Sequence, residues 1–397
     1  MICLGWKNLI DKEKKTMRNI TLLLILFAAA LLASCHFPVD EPADPTLTAT
    51  TAAPTETPTA TATPLPSQTP TVTETPLPSI TPTATNTPYP TDAPDKALPL
   101  TPIDASLGVL EYNYYKIVPE NGSYTLPVFV AAEDVVEYEV HHEIETDSLF
   151  INCETKATAS NGIEMCYLEQ HGWVQAYRFA PAFPDDFQGV RVNTQPSTDF
   201  ACIVQHGLTP YPEPRFYESL SSTRYERYDI VRVHESRMVG LTQWYRIGEN
   251  QWTPATTLSV VHVDFPKPAN IPTSHWIMVN IWEQVLTVYE NNQLVFATLV
   301  STGDNYKLTD TGLYSVYLNF ETTTMSGGSG EEYYLLERVP WTMYFDEGNA
   351  LHGAYWHSSF GYPRTHGCVN LALADAHWLF DWADSNEYVY IYDSREE

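Results

Sequence analysis

The stretch Leu351-His352-Gly353-Ala354-Tyr355-Trp356-His357, continued by Thr365-His366-Gly367-Cys368-Val369-Asn370-Leu371, organises the reading of this 397-residue chain. It sets histidines and one cysteine among glycines, with a helix-like run directly after. Such a layout suits a nucleophilic thiol better than a packed core. A catalytic cysteine needs a nearby base to take its proton and backbone N–H groups that reach a developing oxyanion. Gly367 lets backbone approach a substrate closely. The following helix is expected to aim its positive N-terminal end at Cys368 and lower the thiol pKa. His352 precedes the cysteine by enough residues to arrive from a neighbouring strand. A lone histidine is usually structural and a lone buried cysteine inert; at this spacing the pair reads as chemistry.

His-Gly, a glycine-containing loop, then Ser/Thr-His-Gly-Cys-hydrophobic-Asn/Arg resembles the signature of L,D-transpeptidases with a YkuD-type catalytic domain. In this chain the signature reads His352-Gly353, Gly361, Thr365-His366-Gly367-Cys368-Val369-Asn370, with Thr for the commoner Ser and Asn in place of Arg. The resemblance extends over about 271–393. Trp276-Ile277-Met278-Val279-Asn280-Ile281 and Gln284-Val285-Leu286-Thr287-Val288-Tyr289 alternate as strands, a turn follows, and 294–300 returns as a third. Ser301-Thr302-Gly303 and Thr309-Asp310-Thr311-Gly312 stand where the family has its own such motifs, Asp310 replacing a proline.

The resemblance implies a mostly β fold: a β-sandwich-like catalytic domain with a short helix after the cysteine. It implies a two-step acyl transfer in which Cys368 is the nucleophile and His352 the proton acceptor, then donor. A carbonyl such as that of Gly353 would orient His352. Backbone N–H groups at Gly367 and Cys368 would form the oxyanion hole, and His366 would be the secondary base. Asn370, Thr365 and Tyr344 would touch the substrate. The implied partners are peptidoglycan stem peptides, with carbapenem-type inhibitors acylating the thiol, and no cofactor or metal takes part. Attack by an acceptor amine makes a cross-link, whereas attack by water makes an L,D-carboxypeptidase. A non-catalytic wall-binding lipoprotein of the same fold would be marked by loss of His352 or Cys368, and both are present. A zinc site from His352, His357 and His366 lacks a carboxylate at fixed spacing. Papain-like peptidases place Cys before His, the reverse of this order.

Within this domain Met325-Ser326-Gly327-Gly328-Ser329-Gly330 is either a flap over the site or a hairpin tip. Val339-Pro340-Trp341-Thr342-Met343-Tyr344-Phe345 reads as a strand whose aromatics wall the cleft. Leu373, Ala376, Leu379, Phe380 and Ala383 have helical spacing, with Trp378 and Trp382 as core, and 388–392 closes as a strand.

At the other end, Lys12, Lys14, Lys15 and Arg18 precede an apolar run over 20–32 and Leu32-Ala33-Ser34-Cys35. The run is short for a membrane span and has the order of a secretory signal. Residues 1–35 read as a lipoprotein signal with Cys35 as the lipidated residue, placing the mature protein outside the cytoplasm, membrane-anchored and facing the wall. Met17 also begins a signal of ordinary length. Residues 36–103 are Thr, Pro, Ala and Ser with few hydrophobes, a linker that cannot bury a core. Extended at about 3.1 Å per residue it reaches on the order of 200 Å. The formal net charge of −28 argues against nucleic-acid partners, which need basic patches.

Residues 104–270 are rich in Tyr, Val and Ile in short punctuated runs, so they read as β structure. Cys166-Tyr167-Leu168-Glu169-Gln170-His171-Gly172-Trp173-Val174-Gln175-Ala176 is similar to Trp244-Tyr245-Arg246-Ile247-Gly248-Glu249-Asn250-Gln251-Trp252-Thr253-Pro254-Ala255. Each gives an aromatic strand, a tight turn and a Trp strand, resembling the end of bacterial SH3-like barrels. Two such modules are therefore expected, followed by the catalytic domain over 271–397. Cys153 and Cys166 either bridge a hairpin, leaving Cys202 buried and free, or all three stay as buried thiols. His141 and His142, adjacent on a strand, are expected to diverge to opposite faces, which argues against a metal pair.

Overall fold

A computed structural model describes residues 98–216, 221–304 and 307–396. The signal segment with Cys35, and the linker as far as residue 97, lie outside the described residues. Among the described residues no helix is long and apolar enough to cross a membrane.

Among the described residues the protein is mostly β, with one α-helix, Leu373–Trp382. The central sheet runs Gly312–Ser315, Tyr388–Tyr392, Trp276–Asn280, Val285–Glu290, Gln293–Ser301, Val369–Leu371, Asn349–Gly353, Tyr334–Asp346. The three strands Trp276–Asn280, Val285–Glu290 and Gln293–Ser301 form an antiparallel meander. The last of them joins two halves of the sheet, because its C-terminal residues Val300 and Ser301 pair with Leu371 and Asn370 instead. Leu318–Gly327 folds back on Tyr334–Asp346, and Gly327 lies opposite Tyr334. The glycine-rich stretch is thus a hairpin tip closed by a short 3-10 turn, Gly330–Glu332.

Trp276–Asn280 is buried at every position, which needs cover on both faces. Ile277 and Val279 point into one core with Leu286, Val288, Phe296, Leu351, Val369 and the helix residues Ala376 and Leu379. Trp276 and Met278 point the other way, onto Phe200, Val204, Val261 and Val263 of the preceding segment. Trp378 stacks on Phe296 at 4.3 Å, and Trp382 on His275 at 3.8 Å, so both belong to packing as expected.

The segment before residue 271 also extends the sheet itself. Ser148–Ile151 pairs in parallel with Tyr334–Asp346, placing Leu149 opposite Leu335, and Tyr115–Ile117 and Phe179–Pro181 follow outward. Leu100–Pro102, at the end of the expected linker, pairs with Val190–Val192, which pairs in turn with Gln293–Ser301. The two similar stretches take the same order of elements. Glu164–Leu168, Gly172–Gln175, the 3-10 turn Ala176–Arg178 and Phe179–Pro181 are matched by Thr242–Gly248, Gln251–Pro254, the turn Ala255–Thr257 and Leu258–Val261. Cys153 and Cys166 form a disulfide, and Cys202 is a free, half-buried thiol. His141 and His142 do not diverge. The strand begins only at His142, so alternation does not govern His141, and the two rings lie 5.1 Å apart.

Asp375, in the first turn of the helix, is fully buried, accepting the Gly189 N–H at 2.7 Å and the Thr298 hydroxyl. Burial raises its carboxyl from 3.8 to about 7. A folded pKa above the unfolded one gives stability that is fully present below the unfolded pKa and lost as pH rises through the folded one. Asn at this position can still accept from Gly189 and donate to Thr298. Asp375→Asn should therefore gain on the wild type in urea unfolding as pH rises from about 4 to about 7. A difference that does not vary over that window would contradict this account of Asp375.

Candidate active site

Two short strands set the site. Asn349–Gly353 and Val369–Leu371 run parallel, with Leu351 opposite Val369, His352 opposite Asn370, and Gly353 opposite Leu371. Successive strand residues face opposite ways and paired residues share a face. Leu351, Val369 and Leu371 go into the core. His352 and Asn370 therefore share the other face, and Cys368, two residues before Asn370, joins them. All three line one cleft of about 410 Å³ together with His366, Trp356 and Thr365.

His352 is buried, and its Nδ1 donates to the carbonyl of Gly353 at 3.2 Å, the orienting contact expected from the sequence. That bond fixes Nδ1 as the protonated nitrogen and leaves Nε2 with a lone pair. Burial, the larger effect, lowers the His352 pKa to about 4 against the opposing pull of the Gly353 carbonyl, so the ring is a neutral acceptor at ordinary pH. Gly353 is hemmed in: an added Cβ would lie 3.1 Å from both Leu373 and Pro340.

Cys368 departs from expectation. A strand, not a helix, follows it, and the helix begins only at Leu373 after Ala372. The helix N-terminus therefore does not meet the thiol. Burial raises the Cys368 pKa above its usual 9.0, against a weaker lowering by the Ala350 N–H and the Lys307 charge. The apolar spacing of 373–383 marked the helix correctly, but Val369, Asn370 and Leu371, directly after the cysteine, pair as a strand.

The loop carrying the thiol is held from within and from beside. Thr365 donates its hydroxyl to the Cys368 carbonyl at 2.6 Å and accepts the Gly367 N–H at 3.1 Å. Thr365 thus shapes the turn although it was expected to bind substrate, and the Gly367 N–H faces Thr365 where an oxyanion was expected. Gly367 has φ +119°, and a Cβ there would lie 2.6 Å from Asn349 Oδ1, so only glycine fits. The Ser301-Thr302-Gly303 motif grips the same loop: the N–H groups of Arg364 and Thr365 both donate to the Thr302 carbonyl at 2.9 Å. Thr309 donates to the Gly367 carbonyl and receives the Gly303 N–H, each at 2.9 Å.

The remaining expected site residues divide. His366 is exposed on the cleft rim and stacks on Tyr334 at 5.3 Å. Tyr344, opposite Ala350, is on the Cys368 face but does not line the cleft. Burial first and the Cys368 charge second raise its pKa. Sequence reasoning missed Lys116, Asp147, Ser148 and Phe150, which come from the preceding segment and line the cleft with Arg364 and His357. Only the parallel pairing of Ser148–Ile151 brings them there, and no local pattern announces such a contact.

Residues 274–391 match the family model described as the L,D-transpeptidase catalytic domain, YkuD. Curated proteins yielded no match to the chain. Among solved structures, the Enterococcus faecium L,D-transpeptidase C442S mutant is 22% identical, with 30% of this chain and 50% of that chain covered and a TM-score of 0.29. The L,D-transpeptidase of Stackebrandtia nassauensis is 24% identical, with 32% and 60% covered and a TM-score of 0.27. A catalytic domain from the E. faecium L,D-transpeptidase acylated by ertapenem is 21% identical, with 31% and 100% covered and a TM-score of 0.28. The match thus spans half of the E. faecium mutant chain.

With His352 neutral and the Cys368 thiol pKa raised, the resting pair is uncharged rather than a thiolate–imidazolium pair. Alkylation of Cys368 by iodoacetamide should keep accelerating as pH rises to about 9 and beyond. A rate that levels off below neutral pH would indicate a preformed thiolate and overturn this assignment.

Proposed function

We propose that the YkuD-type domain is a cysteine acyltransferase that cross-links peptidoglycan stem peptides as an L,D-transpeptidase. The observation that carries the reading is the parallel strand pair that puts His352, with Nε2 unprotonated, and Cys368 on one face over one cleft.

In the first step Cys368 Sγ bonds to the carbonyl carbon of an L-centre linked to a terminal D-residue. The thiol proton passes to His352 Nε2 as the S–C bond forms, because neither group is ionised beforehand. The Cys368 N–H is the proposed donor to the resulting oxyanion; the Gly367 N–H reaches it only by leaving Thr365 Oγ1. On collapse the C–N bond breaks, His352 returns the proton to the leaving amine, and the D-amino acid departs from a thioester. In the second step an acceptor amine loses a proton to His352 and attacks the thioester, and the proton finally restores the Cys368 thiol. No step calls for a metal or cofactor.

The surroundings support an extracytoplasmic, lipid-anchored protein: a lipobox-like Cys35 in the sequence, and a Cys153–Cys166 disulfide of the sort that persists in oxidising compartments. The repeated hairpin, turn and strand order over 104–270 supports two SH3-like modules. We read the first of them as a wall of the substrate cleft through Lys116 and Phe150.

Incubating the full chain with a carbapenem and measuring intact mass tests the reading. The wild type should gain one drug-sized adduct and Cys368→Ala none, while His352→Ala should slow acylation by about 10²–10⁴-fold. A wild type that stays unmodified would remove the acyl-transfer proposal.

A further inference from the structure

His357 has no part in the acyl-transfer steps, yet it sits in the cleft between two hydrogen-bonding partners. The Ser359 N–H points at its Nδ1, 3.1 Å away. Its Nε2 lies 2.9 Å from the amide of Asn370. An imidazole is either neutral, with one N–H and one lone pair, or cationic, with two N–H groups. Since Nδ1 accepts from Ser359, Nδ1 is the bare nitrogen and Nε2 carries the proton. Nε2–H then needs an acceptor, and the amide nitrogen of Asn370 is a donor.

The conflict disappears if the amide oxygen of Asn370 faces the ring, since the two ends of an asparagine amide are told apart only by their hydrogen bonds. A second observation meets this one. Asn370 is buried, and the end of its amide turned away from His357 has no hydrogen-bond partner. With the oxygen on His357, that open end is the NH2 group. Asn370 stands across the strand pair from His352 and lines the cleft that also holds Cys368.

We propose that His357 is a positioning residue whose Nε2–H holds the Asn370 carbonyl, so that the Asn370 NH2 is presented to a carbonyl oxygen of the bound peptide. This deepens the acyl-transfer reading and rests on it. An amide NH2 left unpaired in a buried place costs free energy that a ligand acceptor relieves, which gives the site a preference for a peptide whose carbonyl falls there. His357 is suited to the task because it stays neutral: burial, then the charge of Arg364, lower its pKa to about 3. A cationic ring would donate from both nitrogens and break the Ser359 contact.

Nitrogen-15 NMR of the full chain without substrate should show His357 neutral and protonated at Nε2, from neutral pH down to about 4. A proton on Nδ1, or a cation near neutral pH, would overturn the proposal. With a donor tetrapeptide, His357→Phe and Asn370→Ala should each raise KM by roughly tenfold, more than they lower kcat. The double variant should be no worse than either single one, since both remove the same contact. His357→Gln, whose side-chain amide can keep a donor toward Asn370, should recover most of the loss. Losses that multiply in the double variant would assign the two residues separate roles and also overturn the proposal. If the wild type neither acylates with a carbapenem nor turns over peptide, the acyl-transfer reading fails, while the NMR measurement still decides the His357–Asn370 arrangement.

Discussion

The parallel pairing of Asn349–Gly353 with Val369–Leu371 is the constraint on which the site depends. It is only three residues wide. Its register places Leu351, Val369 and Leu371 in the core and His352, Cys368 and Asn370 on the opposite face, so a one-residue slip would exchange the two sets. Parallel strands need a crossover, and here the connection from Ala354 to Gly367 is the loop that carries Trp356, His357 and Thr365. The same connection therefore supplies the cleft floor and delivers Cys368 to the start of its strand. Packing against the helix locks the register from the core side, while Thr302, Thr309 and Thr365 hold it from the loop side.

The electrostatics follow from this placement. Burial works against charge on both reacting groups, lowering the His352 pKa and raising that of Cys368. The resting pair is therefore neutral, and the proposed acyl transfer moves the proton as the bond forms. The preceding segment contributes to the same enclosure. It covers the outer face of Trp276–Asn280 and extends the sheet at Ser148–Ile151, which closes the cleft with Phe150 and Lys116. Glu337 fastens the two parts: its carboxylate accepts the Asn152 N–H at 3.0 Å and the Glu169 N–H at 3.3 Å.

Much of the site was legible because its motifs are local. Spacing and residue chemistry singled out His352 and Cys368, the family resemblance implied the Gly353 contact, and alternation marked the meander over 276–301. What was not legible are the roles that depend on what meets a residue from far away in the chain. Thr365 and Gly367 have the right chemistry for substrate or oxyanion, but their hydrogen-bonding groups face each other. The helix was found, and its relation to the thiol was not, because Val369-Asn370-Leu371 reads equally as the start of a helix or as a short buried strand. Lys116 and Phe150 lie more than two hundred residues from Cys368 in the chain, joined to it only through long-range pairing. His357 was visible as a residue, but its tautomer required two distances at once.

On the proposed function, Cys368 carries the acyl group and His352 takes and returns its proton. Single-turnover mass spectrometry with a stem tetrapeptide ending in a D-residue tests it most directly. The expected product is a thioester on Cys368 whose added mass equals the peptide less its terminal D-amino acid and which an acceptor amine discharges. Peptide that remains intact beside unmodified enzyme, or a D-residue released from Cys368→Ala at the wild-type rate, would contradict it.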